Sequence, residues 1–211
     1  MIRFLIKTSS ITGDIKIDDE TVRLSNAAFD SALNQRTNDI GKGIRKLSKP
    51  ESLDETLRKA NPLNGTKEGV NNCVASAITG FLRQSGYDVT ARTTGGKMLN
   101  PAGVVEECFK GVKVLEGSAV KFGRSRQDAA EMLIKRYGQN AEGICGVQWK
   151  GGGGHTFSWK IKDGIVSFFD SQKGINNVDG YFKNIDITGN LTLARLDGLE
   201  IDMDAISKYV K

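Results

Sequence analysis

A chain of 211 residues with 38% hydrophobic residues, 26% charged residues and only three prolines has the make-up of a globular protein with a sizeable core, not of a disordered or repetitive one. The formal charge of +5 permits acidic partners, but basic residues are mixed with acidic ones, as in Arg124-Ser125-Arg126-Gln127-Asp128. Aromatics sit in apolar strand patterns and not among Lys and Arg, which argues against nucleic-acid binding.

The start, Met1-Ile2-Arg3-Phe4-Leu5-Ile6-Lys7, lacks the apolar region of a signal peptide, and no stretch reaches the ~20 apolar residues of a membrane span. A chain made in a reducing cytoplasm, and delivered to a target cell or carried by a phage without such a signal, fits this pattern. Residues 3–18 read as a short hairpin turning through Thr12-Gly13-Asp14, and Ser25 reads as the cap of a helix from 26 to about 39. Residues 41–50 are basic and turn-rich, and a short helix near 51–59 precedes the breaker Asn61-Pro62-Leu63-Asn64-Gly65. These features predict a boundary near residue 60, dividing an N-terminal appendage (1–60) from the main domain (61–211).

From Asn71 onward, Val74, Ala77, Ile78, Phe81 and Leu82 recur at helical spacing until Gly86, with Cys73 in the first turn. Residues 87–91 form a short strand, and 101–109 and 126–137 supply two further helices. Residues 144–149, a hairpin starting at His155, and 191–196 complete an antiparallel sheet. Helices first and sheet later predict an α+β fold.

His155 is the one histidine of the chain and follows four glycines, 151–154. After it, polar and apolar residues alternate on both sides of the turn signal Lys162-Asp163-Gly164. With Asp163-Gly164 as a two-residue loop, Ile161 opposes Val166, Trp159 opposes Phe168, Phe157 opposes Asp170 and His155 opposes Gln172. His155 and Asp170 are then diagonal neighbours on one face, about 7–8 Å apart at the backbone, close enough for a carboxylate to orient an imidazole.

Three cysteines, Cys73, Cys108 and Cys145, lie far apart with no CxxC pair, so a disulfide framework or a cysteine-rich zinc site is not expected. With one His and no clustered thiols, no metal or other cofactor is expected. Cysteine in the first turn of a helix meets the unpaired N–H groups and positive dipole end that favour thiolate, and the same N–H groups can receive an oxyanion. Cys73 is therefore the candidate nucleophile. Cys108, at the end of a helix pattern, and Cys145, among core strand residues, read as buried small hydrophobes.

The segments Asn72-Cys73, 82–91, Gly153-Gly154-His155 with Asp163-Gly164, and Phe169-Asp170-Ser171-Gln172-Lys173-Gly174, with Asn61-Pro62 upstream, resemble the papain-fold toxin domains found at the ends of bacterial polymorphic toxins and in some phage proteins. The resemblance covers about residues 61–196 and leaves 1–60 without a role. It implies a papain-like α+β fold in which an N-terminal helix carrying the cysteine packs on an antiparallel sheet carrying His and Asp. It also implies that Cys73 is the nucleophile, His155 the general base and Asp170 its orienting group. In this sequence Cys73 is followed by Val74-Ala75-Ser76, where many relatives carry a second cysteine. Gln172 falls in the Asp-x-Gln-x-Gly motif, either supporting the site or standing exposed in a turn. Asn72 is open between helping an oxyanion site and capping the helix.

The expected activity is hydrolysis of an amide in a protein substrate: a toxin or effector glutamine deamidase, or alternatively a protease of the same fold. Acyl transfer to an amine uses the same three groups. A non-catalytic binding module of a phage or secretion system is the reading from a different class. An immunity protein is a possible further partner of a toxin domain.

Overall fold

The computed structural model describes residues 44–211; the hairpin expected over 3–18 and the helix expected from 26 to about 39 lie outside them. In chain order the named elements are β1 (Arg45–Lys46), α1 (Leu53–Ala60), α2 (Cys73–Gln84), β2 (Tyr87–Asp88), α3 (Pro101–Cys108), β3 (Phe109–Lys110), β4 (Val114–Ser118), α4 (Arg126–Tyr137), β5 (Ala141–Gln148), β6 (Gly154–Lys162), β7 (Ile165–Phe169), α5 (Asp179–Phe182), β8 (Asn190–Arg195), β9 (Glu200–Ile201) and α6 (Met203–Ile206). The fold is α+β with antiparallel sheets.

Local chemistry accounts for where the helices begin. The Ser52 hydroxyl accepts from the Glu55 N–H at 3.2 Å while the Glu55 carboxylate accepts from the Ser52 N–H at 3.1 Å, a capping box that starts α1. Asn100 caps α3, which has Pro101 in its first turn, and a second box of Ser125 and Asp128 starts α4. Just before α1, Glu51 grips the Arg83 guanidinium of α2 through two 2.7 Å contacts. Arg83, 2% exposed, also reaches Asp88 and the Val89 carbonyl, so its buried charge is partnered throughout. With α1 packed on α2, the chain packs continuously across residue 60.

The central sheet has the order β4-β8-β5-β6-β7 with every pair antiparallel. Ile144, Ala194 and Leu196 pack on one face with residues of α2, α3 and α6, while Cys145, Phe157, Trp159, Leu191 and Leu193 pack on the other with Ala129 and Leu133 of α4 and Phe182 of α5. Burial on both faces explains why β5 and β6 are almost continuously buried. Strand β4 adds an edge that the sequence does not announce, because its residues are half-buried or exposed without clean alternation. No helix among the described residues is long and apolar enough to cross a membrane.

At the β6–β7 turn, Asp163 and Gly164 adopt φ of 51° and 78°, the left-handed pair of a two-residue hairpin loop. Ile161 pairs with Val166 and Trp159 with Phe168 as expected. The ladder stops at Ser158 and Phe169, short of the expected Phe157–Asp170 and His155–Gln172 pairs. The chain instead turns back, with Gly174 at φ 68°, and Asp170 bridges to Ile175.

Candidate active site

Cys73 opens α2 and is partly exposed, at the point where a helix has N–H groups without intrahelical partners. Asn72 precedes it, yet its side chain makes no cap. It is fully buried and reciprocates with Asn61: Asn72 Nδ2 donates to Asn61 Oδ1 at 2.9 Å, and Asn61 Nδ2 donates to Asn72 Oδ1 at 3.4 Å. Gln172 Nε2 donates to the Gly69 and Val70 carbonyls at 2.8 and 3.0 Å and to Asn72 Oδ1 at 3.2 Å. Asn72 therefore does not cap the helix, and Gln172 is not an exposed turn residue. Both tie the turn before Cys73 to the loop after β7.

That loop carries Asp170, which is fully buried. Its Oδ1 accepts the N–H groups of Gln172 and Lys173 at 2.8 and 3.2 Å, and its Oδ2 accepts from His155 Nε2 at 2.7 Å and Tyr181 Oη at 2.6 Å. Burial pushes this carboxyl up, but the hydrogen bond and charge of His155, with the other donors, hold it below the usual carboxylate range. The Trp149 ring lies near-parallel to His155, with centroids 5.9 Å apart, and Tyr181 meets the imidazole edge-on at 5.6 Å; the two rings fix its plane.

With Nε2 committed to Asp170, Nδ1 is the ring nitrogen left to exchange a proton with Cys73, which lines the same cleft. Burial disfavours the charged imidazole, yet the bonds to Asp170 and Cys73 and their charges push the His155 pKa up to about 9. For Cys73 burial again opposes the charged form. The bond and charge of His155, with the N–H and hydroxyl of Thr156, outweigh it and hold the thiol below its ordinary value. This arrangement favours a thiolate beside an imidazolium. The other thiols are unlike it: burial pushes Cys108 up to about 12 and Cys145 well above its ordinary value.

Cys73, His155 and Thr156 line an open cleft of about 700 Å³, walled by Val70, Met98, Leu99 and Pro101 and rimmed by Gly152 and Gly153. Those two glycines take φ of 89° and 75°, and a Cβ on either would meet open space. They are needed for the backbone conformation, and they leave the rim beside His155 bare.

The three predicted reacting groups thus come together with both predicted supporting residues. Thr156, Trp149 and Tyr181 complete the site and were not identified from the sequence: Thr156 reads as a strand residue, and nothing local marks Trp149 or Tyr181. Among the described residues no three His, Cys, Asp or Glu side chains converge to hold a metal ion. Comparison with models of known families, with curated proteins and with solved structures found no match.

Proposed function

We propose that the protein is a papain-like cysteine hydrolase of amide bonds, a toxin or effector domain that deamidates glutamine in a protein substrate. The observation that carries this reading is that His155, held by the buried Asp170 carboxylate 2.7 Å away, lines the same open cleft as the partly exposed Cys73. The resemblance to papain-fold toxin domains supports the choice of glutamine.

In this mechanism the Cys73 thiolate attacks the carboxamide carbon, and the carbonyl oxygen takes the negative charge beside the free N–H groups at the start of α2. The His155 imidazolium gives its Nδ1 proton to the departing nitrogen, so ammonia leaves and a thioester remains. Water then attacks the thioester as neutral His155 accepts its proton. Glutamate is released, and Cys73 and His155 return to the ion pair. Asp170 keeps Nε2 protonated and the ring aligned at each stage.

An electrophilic glutamine mimic tests this. It is expected to label Cys73 selectively in the wild type, weakly in His155→Ala, and not at all in Cys73→Ala. Slow and equal labelling of all three cysteines would refute the reading.

A further inference from the structure

Tyr181 lies outside the motifs of the site, 11 residues after Asp170, and its hydroxyl donates to the same Asp170 oxygen that accepts from His155, at 2.6 Å. The ring is held independently of that bond. Phe182, next to it, is buried among Phe122, Phe157 and Phe168. Asp179 pairs with Arg126 at 3.0 Å, and Tyr181 itself packs edge-on against Trp149 and Phe157. Asp170 is likewise held without Tyr181, through the two N–H groups on Oδ1 and the bridge to Ile175. The phenol therefore adds little to where the carboxylate sits. What it changes is how much negative charge Oδ2 presents to the imidazole.

From this shared oxygen we propose that Tyr181 is a positioning residue that draws off part of the Asp170 charge and so keeps the His155 proton transferable. The proposal rests on the reading of Cys73, His155 and Asp170 as the reacting groups. An imidazolium faced by two anions, the Asp170 carboxylate and the Cys73 thiolate, holds its proton tightly and is a poor acid toward a leaving amine. A phenol donor on Asp170 weakens that hold. The other charged groups that share a cavity with His155 are Lys150, from the β5–β6 loop, and Lys173, from the loop after β7, beside His155 and Tyr181, and the carboxylates of Glu116 and Asp186 in the main cleft. The Lys173 ammonium lies 5.1 Å from the centre of the Tyr181 ring. The two lysines act in the same direction as the phenol and the two carboxylates against it, and all four are unchanged in the variant below.

Because the chain has one histidine, its imidazole resonances report this site without assignment ambiguity, and no substrate is needed. The experiment is an NMR pH titration of His155 in the full chain, comparing wild type, Tyr181→Phe and Cys73→Ala. Tyr181→Phe keeps the ring contacts and is expected to raise the His155 pKa by roughly half a pH unit. Uniform replacement of tyrosine by 3-fluorotyrosine, a stronger donor of the same shape, is expected to lower it. An unchanged or lowered value in Tyr181→Phe, or no downward movement with fluorotyrosine, overturns the proposal. A purely structural role would alter thermal stability and leave the titration in place. Cys73→Ala separates the two layers: it is expected to lower the His155 pKa because it removes the thiolate. If it does not, the reading of the pair itself fails, whatever Tyr181→Phe does.

Discussion

Gln172 Nε2 lies 3.2 Å from Asn72 Oδ1, which binds the residue two places after Asp170 to the residue just before Cys73. Asp170 and Cys73 are thereby held to one another through the Gln172 and Asn72 side chains. Replacing Gln172 with Ala removes the donor to the Gly69 and Val70 carbonyls as well, leaving the buried Gly69 acceptor unpaired at about 1–3 kcal/mol. Urea unfolding is expected to register that loss, together with slower alkylation of Cys73. Lower stability with an unchanged alkylation rate would disconnect this network from the site.

Gly80 offers a second test of how α2 meets the Asp170 loop. A Cβ there would lie 2.1 Å from Ser171 Oγ and 3.1 Å from Ser171 Cβ. Helix propensity alone favours Gly80→Ala by about 1 kcal/mol, whereas overpacking of this kind opposes it by about 1–3 kcal/mol. The expected net result is destabilisation, with partial recovery when Ser171→Gly is added. A stabilised Gly80→Ala protein would show that the two segments separate easily.

The three thiols are expected to differ sharply in reactivity. At neutral pH iodoacetamide modifies Cys73, whose thiol is held below its ordinary value, while Cys108, pushed up to about 12, and the fully buried Cys145 react only after unfolding. His155→Ala removes the main support of the thiolate and is expected to slow Cys73 modification toward the rate of an ordinary thiol. Peptide mapping of the alkylated protein measures both effects.

Asp170 makes stability depend on pH in acid. Its folded pKa is depressed below the ordinary 3.8, so its contribution is fully present above that value and is lost as pH falls through the folded one. His155 adds no pH dependence in this window, since it is protonated in both the folded and the unfolded chain well below pH 6.5. The gap in urea midpoint between wild type and Asp170→Asn is therefore expected to be largest between about pH 4 and 6.5, where Asp170 is ionised and the raised His155 contributes in full, and to narrow below about pH 3.8. A gap that stays constant into acid would mean that Asp170 does not bear this charge.

Much of this was legible in the sequence, because local rules govern it. The Asp163-Gly164 turn set the register of β6 against β7, and the apolar spacing after Asn71 put Cys73 at a helix start. Legibility ended where tertiary contacts take over. Beyond Phe169 a ladder extrapolated by counting gives way to a turn, so His155 meets Asp170 directly while Gln172 swings away to the Asn72 network. Asn72, a good cap by residue type, is claimed by Asn61 and Gln172. Tyr181 and Trp149 reach the imidazole from segments that share no pattern with it, and the edge strand β4 has too little buried alternation to stand out.

Hydrolysis at Cys73 is tested by incubating a cell lysate with wild type and with Cys73→Ala and comparing the proteins by mass spectrometry. Glutamine-to-glutamate conversion at defined sites is expected with the wild type alone. New peptide termini dependent on Cys73 would contradict deamidation in favour of a protease. Identical proteomes from a folded wild type and the variant, across lysates of bacterial and eukaryotic origin, would contradict the hydrolase reading itself.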